Sequence, residues 1–354
     1  MSSESATLVI GLRDLQYRSR RFLVAVGVAA LVFGVAVAID GIKRNLQNEP
    51  GLVVGSFNAD TWVVRAGNSS PFTTTAVLPE SVAGELAATP GVRTARPVVI
   101  GRLTVEGSGR QNANLIGYVP AVGAGPKIVA GRAPRRVGEV AVGGGLDVEV
   151  GNDVQTTAGR FRVVGLVQGE RYNAGAPTLF MTVAGAQQAV LGGRPLVMGV
   201  AVTGHPTALP AGTTATTNSV AAADLALTIK NATRTIDFVA LLSWVIAAGV
   251  IGAITYLSAI ERTRDFAVLR ATGATSSVIV GGLLVQSLLL AVIASLLSVP
   301  LALVLRYGMP LPVKLSAGSV VQILLVGIVV GVLASVAAIR RAVRVDPALA
   351  FGER

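Results

Sequence analysis

The sequence of 354 residues contains no cysteine and a single histidine, His205. Without cysteine, a disulfide framework, a thiolate metal site and a thiol nucleophile are excluded. One histidine does not make a typical zinc site. A serine hydrolase would have to use His205 as its base, but no G-x-S-x-G motif accompanies it in the chain. We therefore expect no bound metal and interpret His205 as a solvated loop residue.

The chain also lacks the phosphate-binding motif G-x-x-x-x-G-K-[ST], in which backbone amides and one lysine hold the phosphates of a nucleotide. The nearest glycine-rich stretch, Gly123-Ala124-Gly125-Pro126-Lys127, has no glycine directly before its lysine. The outer carboxylates Asp147, Glu149 and Asp153 alternate as on a solvated strand and turn, which is not the pattern of an acid-base pair. We therefore predict that the chain is not an enzyme and holds no cofactor.

Charged residues are scarce, at 14% of the chain, whereas 52% of the residues are hydrophobic. A soluble domain carries about 25% charged residues, so the composition predicts a membrane protein. The net charge of +11 comes largely from basic residues that flank apolar runs. Such residues hold cytosolic loops inside and meet anionic lipid head groups, so we expect contact with the bilayer and no nucleic acid.

The apolar runs predict four membrane crossings, arranged as one and then three. Basic residues concentrate on one side of them, which by the positive-inside rule places both termini in the cytosol of a bacterial cytoplasmic membrane. A cleaved signal peptide ending at Ala36-Val37-Ala38 is the alternative for the first run. The predicted segments are an amphipathic helix at 1–21, crossings at 22–40, 236–260, 278–305 and 318–339, a cytosolic loop at 261–277, an outer loop at 306–317 and a cytosolic tail at 340–354.

Residues 41–230, between the first two crossings, are rich in glycine, proline, threonine and valine and predict a folded extracytoplasmic domain of mixed α and β class. The predicted strands include 61–64, 97–105, 138–142 and 159–167, and the predicted helices cover Pro79–Leu86 and Val183–Leu191. From about residue 221 a helical stalk is expected to continue without a break into the second crossing. Asp40 and Asp237 lie at the outer ends of crossings, where interfacial placement is favoured over a gate.

The cytosolic loop carries a recognisable pattern. Its residues Glu261, Arg262, Asp265, Leu269, Arg270, Gly273 and Ala274 resemble the R-x-x-E-[IF]-x-x-L-[RK]-x-x-G-A segment of FtsX/MacB-type ABC transporter permeases, with Asp265 where that family usually has glutamate. The arginine-rich N-terminus, the order of the crossings and the outer domain, and Asp346-Pro347-Ala348-Leu349-Ala350 are also similar to that family. The resemblance covers essentially the whole chain.

This resemblance implies that the loop is a coupling helix in a groove of a separate cytosolic ABC ATPase, which would bind the ATP and magnesium. Phe266 and Leu269 would be the apolar anchors, with Gly273 ending the helix. The polar rim would comprise Glu261, Arg262, Arg264, Asp265 and Arg270. The resemblance also implies a homodimer or a heterodimer with a related permease, and leaves an extracytoplasmic partner open.

The sequence thus predicts a permease subunit that couples ATP hydrolysis in its partner to movement of the outer domain. The substrate would be hydrophobic, lipid-linked or a peptide, and would be exported or extracted. An FtsX-like signal transmitter that controls cell-wall hydrolases is an alternative. A membrane-anchored receptor, adhesion or lipid-modifying protein without ATP coupling is an alternative from another class.

Overall fold

The structure is a computed structural model that describes residues 19–106, 110–120, 124–167, 176–261, 268, 275–305, 307, 318, 321, 324–329 and 332–333. The chain divides into two compact units. One unit, the helical bundle, comprises Met1–Asn45 and Arg234–Arg354, and the other, the α/β unit, comprises Leu46–Thr233.

The described part of the chain begins with a long helix, continues through a region rich in strands and ends in further helices. The helices are α1 (Ser19–Ser56), α2 (Ser81–Ala87), α3 (Val183–Leu191), α4 (Asn218–Thr228), α5 (Lys230–Glu261) and α6 (Ser276–Leu305). The strands are β1 (Thr61–Arg65), β2 (Leu78–Pro79), β3 (Val92–Glu106), β4 (Gln111–Tyr118), β5 (Ile128–Gly131), β6 (Glu139–Gly143), β7 (Asp153–Thr156), β8 (Gly159–Val167), β9 (Thr178–Thr182), β10 (Leu196–Val197), β11 (Gly199–Gly204) and β12 (Thr213–Thr217).

Three helices are long and apolar enough to cross a membrane. The qualifying stretches are Val26–Ser56 in α1, Lys230–Leu257 in α5 and Leu284–Leu305 in α6, with 31, 28 and 22 residues. A bilayer core of about 30 Å needs roughly 20 helical residues, so each is sufficient. In the predicted fourth crossing the described residues are helical, but the remainder lies outside the described part of the chain, as do the cytosolic tail and the predicted outer loop apart from Tyr307. A fourth crossing therefore stays a prediction.

The bundle core combines alanines with larger apolar side chains. Ala29 and Ala30 of α1, Ala247 of α5, and Ala291 and Ala294 of α6 are all buried in one cluster. Small residues let helix backbones approach closely where lipid supplies no hydrophobic drive for association. An aromatic pair, Phe33 of α1 and Trp244 of α5, contributes to the same cluster with ring centroids 5.6 Å apart.

The first helix extends well past Asp40, where the predicted first crossing ends, and continues through Pro50 to Ser56. A proline inside a helix cannot donate to the carbonyl four residues earlier, here that of Leu46. Tertiary packing explains why the helix persists, because Val53 and Val54 are buried in the α/β unit. The predicted boundary at residue 40 therefore falls inside a helix that continues into the α/β unit.

The α/β unit is organised by one large sheet with the strand order β12-β1-β11-β3-β4-β9-β6-β8-β5. Strand β7 pairs with both β3 and β8, so β3, β4, β9, β6, β8 and β7 form a closed ring of paired strands. The short strands β2 and β10 pair separately. The mixed α and β class predicted for this region is confirmed.

The two faces of the sheet carry different hydrophobic clusters. Successive residues of a strand point to opposite faces, and accordingly Val63 and Val99 belong to a cluster with α2 and α3. Their neighbours Trp62 and Val98 belong to the other cluster, with the end of α1 and with α4. Helices therefore cover both faces, and the helices that lead into and out of this unit share one of them.

Helix α3 spans Val183–Leu191, as predicted, with the Thr182 hydroxyl accepting from the Gly185 amide and Gly192 in a left-handed conformation at its end. Two other helix predictions need correction. Pro79 is not in the first turn of a helix but in strand β2, and α2 begins at Ser81. The stalk is interrupted, because α4 ends with Ile229 as its C-cap before α5 begins.

Candidate functional site

The predicted coupling residues lie at the junction of α5 and α6. Glu261 is the last residue of α5, and Val268 is helical and 55% exposed. Helix α6 begins one residue after Thr275. The seven other predicted contact residues lie outside the described part of the chain: Arg262, Arg264, Asp265, Phe266, Leu269, Arg270 and Gly273. Their assignment to an ATPase contact stays a prediction.

A second candidate site lies in the α/β unit, where the end of α1 and helix α4 reach the same apolar cluster. We call this cluster the connector core. Val54 and Phe57 enter it from α1 and the residue that follows it, and Ala221 and Leu225 enter it from α4. All four side chains are buried. Val53, Ala59 and Phe72 belong to it as well, and the sheet contributes Trp62, Val98, Ile100, Ile116, Tyr118, Ala141, Val167, Phe180 and Ala201.

Three aromatic rings give the connector core its centre. The ring centroids of Phe57, Trp62 and Phe72 lie 5.1 to 5.8 Å apart, and the two contacts of Trp62 are edge-on. Such tilted and edge-to-face pairs are the favoured geometry of aromatic rings and add to the burial term. Because Phe57 directly follows α1, this contact ties the end of that helix to strand β1.

The end of α1 is also held by hydrogen bonds from Arg96 of β3. Its Nη2 donates to the carbonyl of Phe57 at 2.8 Å and to that of Asn58 at 3.2 Å. The amide of Gly125 donates to the Ser56 carbonyl at 2.8 Å. These donors satisfy carbonyls that a helix end leaves without partners. Partial burial lowers the pKa of Arg96 from its ordinary value, but an arginine remains charged at any physiological pH.

Helix α4 is fixed at its start by Asn218. The indole Nε1 of Trp62 donates to Asn218 Oδ1 at 2.8 Å, and Asn218 Nδ2 donates to the Ala59 carbonyl at 2.5 Å. Asn218 therefore joins the segment after α1 to the start of α4. Further along, the hydroxyl of Thr73 donates to the carboxylate of Asp224 in α4. This network could not be predicted from the sequence, because the residues that it joins are distant in the chain.

An ion pair lies close to the same segment. Asp60 Oδ2 accepts from the Gly204 amide at 2.7 Å and from Arg93 Nη2 at 3.0 Å. The hydrogen bond from the Gly204 amide and then the positive charge of Arg93 lower the pKa of Asp60. His205, the lone histidine, is exposed with its Nδ1 3.3 Å from the Thr61 hydroxyl. It lies at the surface in a loop, in agreement with its interpretation from the sequence.

In the bundle, the two aspartates noted at the ends of crossings both have cationic partners. Asp237 of α5 accepts from Lys43 of α1, with Nζ and Oδ1 2.6 Å apart. Asp40 pairs with Arg44 one turn along α1 at 2.8 Å. The sequence does not predict this role for Lys43, because a lysine near the end of an apolar run is typical of a residue at the membrane interface.

Polar side chains inside the long helices bond their own backbone. The hydroxyls of Thr255, Ser295 and Ser298 are buried and donate to carbonyls three or four residues earlier in the same helix. The charged residues of α5 lie near its two ends, and α6 has none. Helix α1 is free of charge from Phe22 to Ile39 and carries charged residues before and after that run. A transmembrane ion pathway usually contains ionisable groups. The described interior of the bundle is instead a packed apolar core.

The outer carboxylates of the sequence analysis do not form an acid-base pair in the described structure. Asp153 pairs with Arg162 across β7 and β8 at 3.1 Å, and Glu149 is exposed. Glu139 instead accepts from Arg132 Nη1 and Nη2, at 2.8 and 2.7 Å, and from the Arg135 amide at 2.9 Å. The hydrogen bonds from Arg132 and then from the Arg135 amide lower the pKa of Glu139 to about 2.

The chain has close similarities to known proteins. The FtsX-like permease C-terminal family matches residues 238–347. Two uncharacterized ABC transporter permeases, one from Mycobacterium tuberculosis and one from Mycobacterium bovis, are each 35% identical over 347 residues, covering 98% of this chain and 99% of the relative. These relatives are similar across both the bundle and the α/β unit.

Two solved structures are also similar to part of the chain. The periplasmic region of MacB from Actinobacillus actinomycetemcomitans is 15% identical, with a TM-score of 0.36, and covers 50% of this chain and 96% of its own. The extracellular domain of the noncanonic ABC-type transporter YknZ from Gram-positive bacteria is 11% identical, with a TM-score of 0.33, and covers 42% and 84%. Both scores are low, and the assignment of the family rests on the sequence relatives.

Apolar helices of membrane-spanning length, together with an α/β unit inserted between the first two of them, define an integral membrane protein with a folded domain outside the bilayer core. Within that class, the chain belongs to the ABC transporter permeases with an FtsX-like C-terminal domain. The family predicted from the central loop is confirmed. A permease of this family works with a separate ATPase subunit.

Proposed function

We propose that this permease transmits the ATP-driven movement of a cytosolic ATPase to the α/β unit as a mechanical displacement. The observation that carries the proposal is the connector core, in which the end of α1 and helix α4 are packed into one cluster. These segments are the two places where the chain enters and leaves the α/β unit. A displacement of either segment would therefore act on the same part of the sheet.

The coupling segment between α5 and α6 would receive the movement. Phe266 and Leu269, three residues apart, would fill a groove of the ATPase, with Glu261, Arg262, Arg264, Asp265 and Arg270 around them and Gly273 ending the helix. Buried aromatic and aliphatic anchors surrounded by a polar rim are the usual source of affinity at protein interfaces. The ATP and magnesium would be held by the ATPase, and the permease would act as a homodimer or a heterodimer with a related subunit.

The charge-poor bundle supports movement of the outer domain over passage of a polar solute. Its buried hydroxyls are satisfied within their own helices, so the described helices offer no row of polar groups to a solute. We infer export or extraction of a hydrophobic, lipid-linked or peptide substrate in the cytoplasmic membrane. Control of cell-wall hydrolases by an FtsX-like mechanism would use the same transmission and differs in the extracytoplasmic partner.

Copurification tests the proposed function. A tagged permease, extracted in mild detergent from the cells in which it is native, should retain an ABC ATPase. The double variant F266D/L269D should reduce the recovered ATPase about tenfold or more, because both anchors of the interface become charged. The expected membrane level of the permease is unchanged.

Val268 provides the matched control, since it lies between the two anchors but about 100° or more away from each around a helix. The variant V268D makes the same apolar to acidic change and should retain the ATPase. Recovery that is unaffected in F266D/L269D would reject these residues as the contact. Absence of any ATPase with the wild-type permease would reject the proposed function.

A further inference from the structure

The ion pair between Lys43 and Asp237 lies where the chain passes between its two units. Lys43 comes three residues before the α/β unit begins at Leu46, and Asp237 comes four residues after that unit ends at Thr233. Both residues belong to the helical bundle, and their side chains join α1 directly to α5 at 2.6 Å. The pair therefore connects the two helices that carry the outer unit.

The described apolar contacts between α1 and α5 are about two to three helical turns away from this ion pair. Phe33 and Trp244 form the aromatic contact, and the described bundle core takes its α5 residues from Trp244 to Ile254. At 1.5 Å per residue, Lys43 is about 15 Å from Phe33 along α1, and Asp237 is about 10 Å from Trp244 along α5. Toward Lys43, the described apolar contacts of α1 are with α6, through Val37, Ala38 and Ala302.

The ion pair is suited to opening and closing. Its side chains are 30% and 47% exposed, and a partly exposed ion pair contributes little stability and is screened by salt where water reaches it. Separation of the helices at this point would break one charge contact without dismantling the bundle core that contains Phe33 and Trp244. A packed apolar contact at the same place would resist such a movement much more strongly.

Lys43 also has a second carboxylate within reach of its own helix. Asp40 lies three residues earlier on α1, and residues at this spacing are neighbours on a helix surface. Asp40 already holds Arg44 at 2.8 Å, so the two cations and two aspartates form a compact charged group. When Asp237 moves away, Lys43 can be retained by Asp40 and does not lose its only counter-charge.

We propose that Lys43 and Asp237 form a latch that holds α1 and α5 together at rest and opens in each ATP-driven cycle. This inference rests on the proposed function, since it names the contact through which the movement of the α/β unit is controlled. In the closed state Lys43 pairs with Asp237, and in the open state it pairs with Asp40. The latch sets how readily the two helices part and takes no role in binding the ATPase.

Charge reversal tests the latch in the full permease and ATPase complex, reconstituted in lipid nanodiscs. In D237K two lysines repel each other, so the latch is open and the basal ATP hydrolysis rate should rise about twofold to fivefold, the range expected from one partly exposed pair. The swapped variant K43D/D237K again places opposite charges at the pair and should bring the rate back toward the wild-type value, which also shows that lysine at position 237 is compatible with folding. K230D reverses a charge at the exposed start of α5 and should leave the rate unchanged.

Crosslinking gives the opposite perturbation. Because the chain has no native cysteine, K43C/D237C can be joined by a short bifunctional thiosulfonate, and the link can be removed by reduction. The linked complex should retain its ATPase subunit but hydrolyse ATP more slowly than the unlinked complex. Reduction of the link should restore the rate of hydrolysis. Full hydrolysis in the linked complex, or an unchanged basal rate in D237K, would overturn the latch alone. If the wild-type permease holds no ATPase, the proposed function and the latch fail together.

Discussion

At the scale of single residues, Arg96 and Asn58 explain how α1 can end inside a folded unit. Asn58 has a φ of 46°, in the left-handed region that asparagine tolerates better than most residues, and its amide donates to the Gly55 carbonyl. The turn exposes carbonyls that Arg96 then satisfies. A planar guanidinium can donate to two such acceptors at once, whereas the compact ammonium of lysine is less suited to that geometry.

Glu139 carries a prediction about pH at the same scale. Its pKa falls to about 2 in the folded protein from an ordinary value of 4.5, so its carboxylate stabilises the turn at and above the ordinary pKa. This contribution decreases as pH falls from 4.5 toward 2, when the folded carboxylate becomes protonated. The amides of Arg135 and Arg136 donate to Glu139 Oε2 at 2.9 and 3.3 Å. In E139Q the charge is absent at every pH, and we expect these two amides to exchange with deuterium faster than in wild type at pH 7.

Hydrogen exchange read by mass spectrometry on the full chain measures this effect. E149Q makes the same chemical change at an exposed carboxylate in the same unit, and it should leave the exchange of Arg135 and Arg136 at the wild-type rate. Equal protection of these two amides in E139Q and wild type would show that the backbone holds the turn without the carboxylate.

At the scale of elements, sequence reasoning succeeded where local pattern and tertiary packing agree. Helix α3 has a threonine cap, an apolar face and a following glycine, all readable in the chain, and its bounds are as predicted. Strand β8 alternates in burial as its sequence alternates in polarity. The extension of α1 through Pro50 could not be read locally, because the buried partners of Val53 and Val54 are distant in the chain. Lys43 could not be predicted as the partner of Asp237 for the same reason, since the two residues are distant in the chain.

The helical residues 324–329 include Gly327, which lies close to α6. A Cβ at this position would lie 2.1 Å from Ser295 Oγ and 3.3 Å from Ser295 Cβ. We therefore expect G327A to lower the thermal unfolding temperature of the purified permease, since one neighbour must shift. Removing the hydroxyl in G327A/S295A should recover most of that loss. Unfolding followed by the fluorescence of the two tryptophans checks both variants.

The control for this pair is Gly282, also on α6, where an added Cβ would meet no atom within 4 Å. G282A should retain or slightly raise the unfolding temperature, because alanine has the higher helix propensity. Should G327A behave like G282A, the approach of this turn to α6 is looser than the structure shows, and the fourth predicted crossing would lose one of its supports.

At the scale of the whole molecule, composition alone predicted the membrane class, and the central loop predicted the family. Composition could not predict that the end of α1 and helix α4 pack into the same apolar cluster. That arrangement depends on which face of the sheet each helix covers. Asn218 is 156 residues from Trp62 in the chain, and the two side chains meet only in the folded unit. The mechanical proposal therefore rests on the structure, and its sidedness rests on the arginine distribution.

That sidedness is the last prediction. Val129 of the α/β unit and Val268 of the coupling segment are both 55% exposed, so cysteines at the two positions should differ in accessibility only through the membrane. In a chain without native cysteine, V129C should react with a membrane-impermeant maleimide added to intact cells. V268C should react only after permeabilisation, because its flanking arginines hold the loop inside. The cysteine-free wild type supplies the background. Labelling of V268C in intact cells would reverse the topology and remove the segment from reach of any cytosolic ATPase.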